Sequence, residues 1–185
     1  MAKHRFVFFF SLLIAGMVTV SAELPMDQWT FVSIDDDRPD GKAFGLSAID
    51  LNNDGYADAV TGKSCYLNPG PHWDTMEWKR VDLPEKDAMF AGDFDGDGRG
   101  DVFALNGSGV YWLKASGTDA LEWTSKKVSE IGESDHGIST QGYASGQIVS
   151  GGAPEFVISC DSGIVVFMFP DNPEVSEMWP HFVLS

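Results

Sequence analysis

The nine residues Asp50 to Asp58, DLNNDGYAD, return 43 positions later as Asp93 to Asp101, DFDGDGRGD. The segments downstream of each copy repeat as well. A short apolar run comes first, Ala59-Val60 or Val102-Phe103-Ala104, and then a turn holding glycine and serine. A second apolar run succeeds it, Cys65-Tyr66-Leu67 or Val110-Tyr111-Trp112-Leu113, and each unit closes on a tryptophan segment, Glu77 to Leu83 (EWKRVDL) or Glu122 to Val128 (EWTSKKV). A chain with this period builds its fold by stacking copies of one supersecondary unit. A third unit keeps the same order: Glu155 to Ile158, then Gly163 to Phe169, then the tryptophan segment Met178 to Val183. A fourth tryptophan segment, Gln28 to Ile34, precedes the first unit.

The apolar segments are short, rich in Val, Ile, Phe, Tyr and Trp, and separated by Gly, Asn, Asp and Pro, which is the pattern of strands joined by turns. No stretch of helical length after residue 22 keeps a 3.6-residue apolar period. The expected fold is all-β: β-propeller-like repeats, about three blades of four short strands plus one leading strand, over units of approximately 35–84, 85–131 and 132–185. Closed propellers use about four to eight blades, so three blades predict a partial or open propeller with exposed strand edges that invite self-association. One insertion breaks the period, because Gly151 lies 54 residues after Asp97. The extra length falls around Ser129 to Gly146 and, with Glu130, Glu133, Asp135 and His136, reads as an exposed loop.

The duplicated loops carry the chemistry. Asp50, Asn52, Asp54 and Asp58 occupy positions one, three, five and nine, as do Asp93, Asp95, Asp97 and Asp101, with Gly55 and Gly98 at position six. Alternate side chains in a tight loop turn their oxygens toward one point, and glycine permits the sharp bend. Backbone carbonyls of Tyr56 and Arg99 can add to each set. Oxygen ligands in a tolerant geometry suit Ca2+, which takes about six to eight of them, better than Mg2+ with its strict octahedron. The expectation is two calcium sites, the second tighter because it has four carboxylates against three. These are not EF-hands, since position 12 holds Thr61 or Ala104 in place of a bidentate Glu.

The D-x-[DN]-x-D-G-x-x-D loops leading into short apolar strands resemble FG-GAP/VCBS repeats, which occur in integrin α-subunit heads and in many exported bacterial proteins. Tyr66-Leu67-Asn68-Pro69-Gly70 with the later Trp78 segment is similar to the blade pattern of bacterial members. The resemblance spans about residues 28 to 185 and implies a β-propeller with calcium in hairpin loops of the blades. The third unit departs from it, with Gln147, Val149, Gly151 and Glu155 at the ligand positions, so no ion is expected there.

The chain opens with Lys3, His4 and Arg5, an apolar run from Phe6 to Val20 and the small-residue site Val20-Ser21-Ala22. This order is that of a secretory signal peptide over 1–22, which predicts a repeat domain over 23–185, secreted, periplasmic or at the cell surface, without a membrane span. Without those 22 residues the formal charge is −18, which disfavours nucleic acid and anionic lipid as partners. Cys65 and Cys160 leave both a bridge and two free thiols open. The RGD tripeptide Arg99-Gly100-Asp101 shares Asp101 with the loop and is expected to be unavailable for adhesion. Trp29, Trp78, Trp123 and Trp179 recur at one place per unit, which favours packing between blades. Trp73 falls outside the pattern in a proline-bearing loop, where a ring left exposed could stack on a sugar or a partner's aliphatic surface or do nothing more than cover the loop. His72, His136 and His181 accompany no nucleophile motif. The resulting expectation is an exported calcium-binding module with a binding, adhesion or structural role toward a protein or glycan. Its alternative is a sugar-active or other hydrolytic or lyase enzyme on the same scaffold.

Overall fold

The computed structural model describes residues 31–37, 45–85, 87–131, 142–160 and 163–184. The chain divides into two units, Met1–Val32 and Ser33–Ser185. Of the first, only Phe31 and Val32 are described, both in irregular backbone. The second is all-β and consists of three four-stranded antiparallel sheets, an open, propeller-like arrangement of three blades.

The first sheet holds β1 (Ser47–Ile49), β2 (Asp58–Thr61), β3 (Ser64–Leu67) and β4 (Lys79–Asp82), with a 3-10 turn, Gly70–His72, between the last two. The second holds β5 (Ala88–Gly92), β6 (Asp101–Asn106), β7 (Gly109–Ala115) and β8 (Trp123–Glu130). The third holds β9 (Gly142–Gly146), β10 (Glu155–Cys160), β11 (Gly163–Phe167) and β12 (His181–Leu184). Each sheet is a meander in which sequential strands are neighbours. Strand β5 lies against both β1 and β9, so the first strands of the three sheets gather on one side. The Tyr143 hydroxyl of β9 accepts from the Leu46 N–H just before β1, at 3.2 Å.

The middle sheet is buried on both faces, which explains the unbroken apolar run of β6. Side chains alternate across a strand. Val102 and Ala104 therefore face the first sheet with Leu113 and Ala115, packing on Leu51, Val60, Cys65 and Leu83. Phe103 and Leu105 face the third sheet with Val110 and Trp112, packing on Phe156, Ile158, Phe167 and Trp179. Aliphatic and small residues thus dominate one interface and aromatic rings the other. Phe103 sits centrally in the second, with ring centroids 4.8 Å from Phe94, 5.0 Å from Phe156 and 5.2 Å from Trp179.

Several boundaries differ from the sequence reading. In the leading segment, Gln28 to Thr30 lie outside the described residues and Phe31 to Ile34 form no strand. The third tryptophan segment becomes a strand only at His181. Pro180 has no N–H for a ladder, so the chain turns before it and Trp179 fills the core, its backbone N–H reaching the Val128 carbonyl at 2.8 Å. Trp78 also precedes its strand and is half-buried, its indole N–H donating to the Trp73 carbonyl at 2.9 Å. The region around Ser129 to Gly146 is not all loop, for Ser129 and Glu130 end β8 and Gly142–Gly146 is β9. Glu133, Asp135 and His136 lie outside the described residues. Both cysteines are free, Cys65 in the first sheet and Cys160 in the third.

Truncating Phe103 to Ala removes the ring that Phe94, Phe156, Phe169 and Trp179 enclose, and is expected to cost about 3–5 kcal/mol. Trp73→Ala, at a ring 46% exposed, should stay within about 0.5 kcal/mol. Urea denaturation of both variants distinguishes them, and a cost below about 1 kcal/mol for Phe103→Ala would contradict the packing described.

Candidate metal centre

The two aspartate loops occupy equivalent places, one between β1 and β2 and the other between β5 and β6. Their internal hydrogen bonds also match. The Gly55 N–H donates to Asp50 Oδ2 at 2.8 Å, and the Gly98 N–H donates to Asp93 Oδ2 at 3.0 Å. The Tyr56 N–H meets Asp54 Oδ1 and the Arg99 N–H meets Asp97 Oδ1, both at 2.9 Å. Both loops visit positive φ at positions four and six: Asn53 (59°) and Gly55 (89°), then Gly96 (77°) and Gly98 (84°). Glycine adopts that backbone without steric cost, and asparagine tolerates it better than most residues.

Position nine is the anchor. Asp58 and Asp101 open β2 and β6 and are almost fully buried. Each accepts from the N–H at position two of its own loop: Leu51 to Asp58 Oδ2 at 2.9 Å, Phe94 to Asp101 Oδ2 at 3.1 Å. The Asn68 N–H adds a further bond to Asp58 Oδ1 at 2.7 Å. Burial raises the Asp58 carboxyl above the ordinary range, outweighing these donors, and repulsion from Asp54 and Asp50 adds to it. Burial pushes Asp101 up to about 7, with Asp95 repulsion as the next cause and the Phe94 N–H acting against it. The buried indole N–H of Trp112 completes no hydrogen bond, yet lies near enough to favour the charged form of Asp101.

In the second loop, carboxylate oxygens of Asp93, Asp95 and Asp101 lie within 4.8 Å of one another, the one such trio of acidic groups among the described residues. Their counterparts in the first loop are Asp50, Asn52 and Asp58, where an amide oxygen takes the place of one carboxylate. Convergence of several hard oxygens on one point is the donor chemistry of a divalent cation. Asp54 receives the Asn52 Nδ2 at 3.0 Å on Oδ2. Asp97 instead is engaged by cationic side chains, with Arg99 Nη2 at 2.8 Å and Lys114 Nζ at 3.4 Å from Oδ2. Burial acts to raise Asp97, but these partners overcome it and hold its carboxyl below the ordinary range. Lys114 also contacts Asp95, and it reaches Glu174 of the β11–β12 connection at 3.1 Å.

The third loop has another arrangement. Glu155 opens β10 and accepts from the N–H groups of Ile148 (2.7 Å) and Val149 (3.0 Å) through Oε2. Gln147, at position one, turns its amide nitrogen inward to the carbonyls of Val149 and Gly151, the latter at 3.0 Å. Positive φ falls here at Gly151 and Gly152, positions five and six, so the backbone path differs as well. Sequence reasoning found the loop carboxylates and missed Lys114, Glu174 and the Arg99 side chain, which lie on other strands and connections or served there only as a backbone.

Other sequence features find quieter places. Gly100 and Asp101 of the RGD tripeptide are buried, and Arg99 is tied to Asp97 and the Gly117 carbonyl. His181 Nδ1 lies 3.3 Å from Ser129 Oγ, its ring packed on Phe167. A cleft of about 520 Å3 opens beside the first sheet, lined by Asp35, Tyr66, Glu77, Trp78 and Arg80 among others. Within it, Asp35 accepts from the Tyr66 hydroxyl at 2.9 Å and pairs with Arg80 at 3.2 Å. No protein-family model matches the chain, and no curated protein matches it either.

A carboxyl group held above its usual range favours folding while it is protonated, and that contribution disappears as pH climbs through the raised value. Asp101→Asn keeps an acceptor for the Phe94 N–H and removes the titration. In chelator, its melting temperature relative to wild type should therefore rise between about pH 5 and about pH 8. A difference that stays flat across that window would contradict the burial argument.

Proposed function

We propose that this chain is an exported calcium-binding repeat module of the FG-GAP/VCBS propeller type, in which calcium stabilises the hairpin loops that open the first two blades. The observation that carries this reading is the doubled loop, with the same hydrogen bonds at the same positions in two blades and three carboxylates within 4.8 Å in one of them. Asp50, Asn52, Asp54 and Asp58, with the Tyr56 carbonyl, would hold one ion. Asp93, Asp95, Asp97 and Asp101, with the Arg99 carbonyl, would hold the other. A bound divalent ion supplies the positive charge that lets clustered carboxylates stay ionised beside buried strands.

The ions are structural in this reading. Each loop joins two neighbouring strands, and its position-nine carboxylate is part of the second of them, so fixing the loop fixes the start of the hairpin. The partner is a protein or glycan at the loop-bearing surface or at the cleft beside the first sheet. The cleft supports this with a half-buried indole, Trp78, next to carboxylate and guanidinium groups. An amphipathic ring with flanking polar groups suits either class of partner.

Extracellular calcium modules bind at ~10⁻⁴ to 10⁻³ M. At about 1 mM calcium and a dissociation constant near 0.1 mM, one site contributes ~1.4 kcal/mol. Adding chelator to the calcium-loaded protein should then lower the melting temperature by several degrees, on the order of 5–10 °C for two sites in a domain of this size. Asp54→Ala combined with Asp97→Ala should reproduce that loss without chelator. A melting temperature indifferent to chelator would overturn the assignment.

A further inference from the structure

We propose that the Lys114 ammonium is the resident cation of the second aspartate loop, so that calcium enters there only by displacing it and the first loop is the tighter site. The inference rests on the calcium reading and reverses the ranking that carboxylate counts alone suggest.

Lys114 lies on β7, and its Nζ contacts Asp95, stands 3.4 Å from Asp97 and is 3.1 Å from Glu174. Two of the four carboxylates at ligand positions are therefore already paired with a positive group of the chain itself, and Arg99 pairs with Asp97 as well. An ammonium seated among these oxygens is an observation separate from the clustering of the acids. Burial opposes its charge, yet Asp95, Asp97 and Glu174 hold it firmly protonated.

The first loop has no counterpart to this lysine. Val102 of β6 pairs with Leu113, the residue before Lys114, and the matching pair in the first sheet is Ala59 with Tyr66, the residue before Leu67. Leu67 is buried in the interface between the first two sheets. In the third sheet, Phe156 pairs with Phe167, which puts Met168 at the same place. Lysine at this register thus belongs to the second blade only. Among the described residues, no lysine stands at this register beside the first loop's three carboxylates, whereas the second loop sets four carboxylates against Lys114 and Arg99. On that count, a cation approaching the first loop meets more uncompensated charge.

Displacement has a destination. Glu174 already holds Lys114 from the far side, and the Trp112 ring centroid lies 5.6 Å from Nζ. Lys114 can leave Asp95 and Asp97 and still be paired. Because Lys126 donates to the carbonyls of Pro173 (2.9 Å) and Glu174 (2.7 Å), the β11–β12 connection of the third blade is fastened beside the same loop. Occupancy of the second loop is thereby linked to the contact between the second and third blades.

Calorimetric titration of chelator-treated protein with calcium chloride tests the inference, using the first loop disabled by Asp54→Ala to isolate the second. In that background, Lys114→Met should tighten calcium binding about tenfold, and Lys114→Arg, which keeps the charge, should leave it near the starting value. Glu174→Gln, at an exposed carboxylate, should weaken binding when Lys114 is present and have a smaller effect when it is Met. With the second loop disabled by Asp97→Ala, the remaining site should be tighter than the second loop of otherwise unaltered protein. One calcium site lost in each loop-disabled variant, with the second loop's affinity indifferent to Lys114→Met, would overturn the inference and leave the calcium reading standing. Heat that is absent from all of them, with circular dichroism showing folded protein, would overturn the calcium reading itself.

Discussion

Negative charge gathered in a tight turn must be answered by something, and that requirement organises each of the three loops here. A carboxylate at the first residue of the second strand, Asp58, Asp101 or Glu155, is drawn into the protein to receive backbone N–H groups from the loop before it. That bond fixes where the strand starts and how the loop folds over it. It also places a carboxylate in a poorly solvated position, where a neighbouring acid raises its cost further. The blades differ in how they meet this cost. Glu155 has two backbone donors, Asp101 has the Lys114 ammonium nearby, and Asp58 has backbone donors with acidic neighbours.

Beyond this local arrangement the fold is an exercise in stacking. The middle sheet contributes both of its faces to cores, one lined by small and aliphatic groups and one by aromatic rings. Loops sit at the ends of strands whose other atoms are locked in those cores, which makes them stiff mounts for converging oxygens. Lys114 belongs to both levels: its neighbours Leu113 and Ala115 are buried toward the first sheet, and its ammonium reaches the loop and the connection of the third blade.

The repeat made much of this legible. Two identical spacings of Asp, Asn and Gly located the loops, and short β-rich apolar runs bounded by turn residues located β2, β3, β6 and β7, because strands buried in stacked sheets are written as such runs. The boundaries near tryptophan were less readable. Trp179 looks like a strand residue by analogy with Trp123, and only the proline after it signals that the ladder must wait until His181. The third loop's departure from the ligand set is visible in the sequence, but the inward hydrogen bonds of Gln147 do not follow from composition. Lys114 was the largest omission. It stands 17 residues beyond Asp97 in the chain, and its approach to the loop depends on the register of β6 against β7, which no local pattern encodes.

On the proposed function, the first two loops each hold one divalent ion and the third holds none. Anomalous X-ray diffraction from crystals grown in calcium reads this directly. Two peaks per chain are expected, one among Asp50, Asn52, Asp54 and Asp58 and one among Asp93, Asp95, Asp97 and Asp101, with no peak at Gln147. Density free of calcium at both aspartate loops, with Lys114 still seated on Asp95, would contradict it.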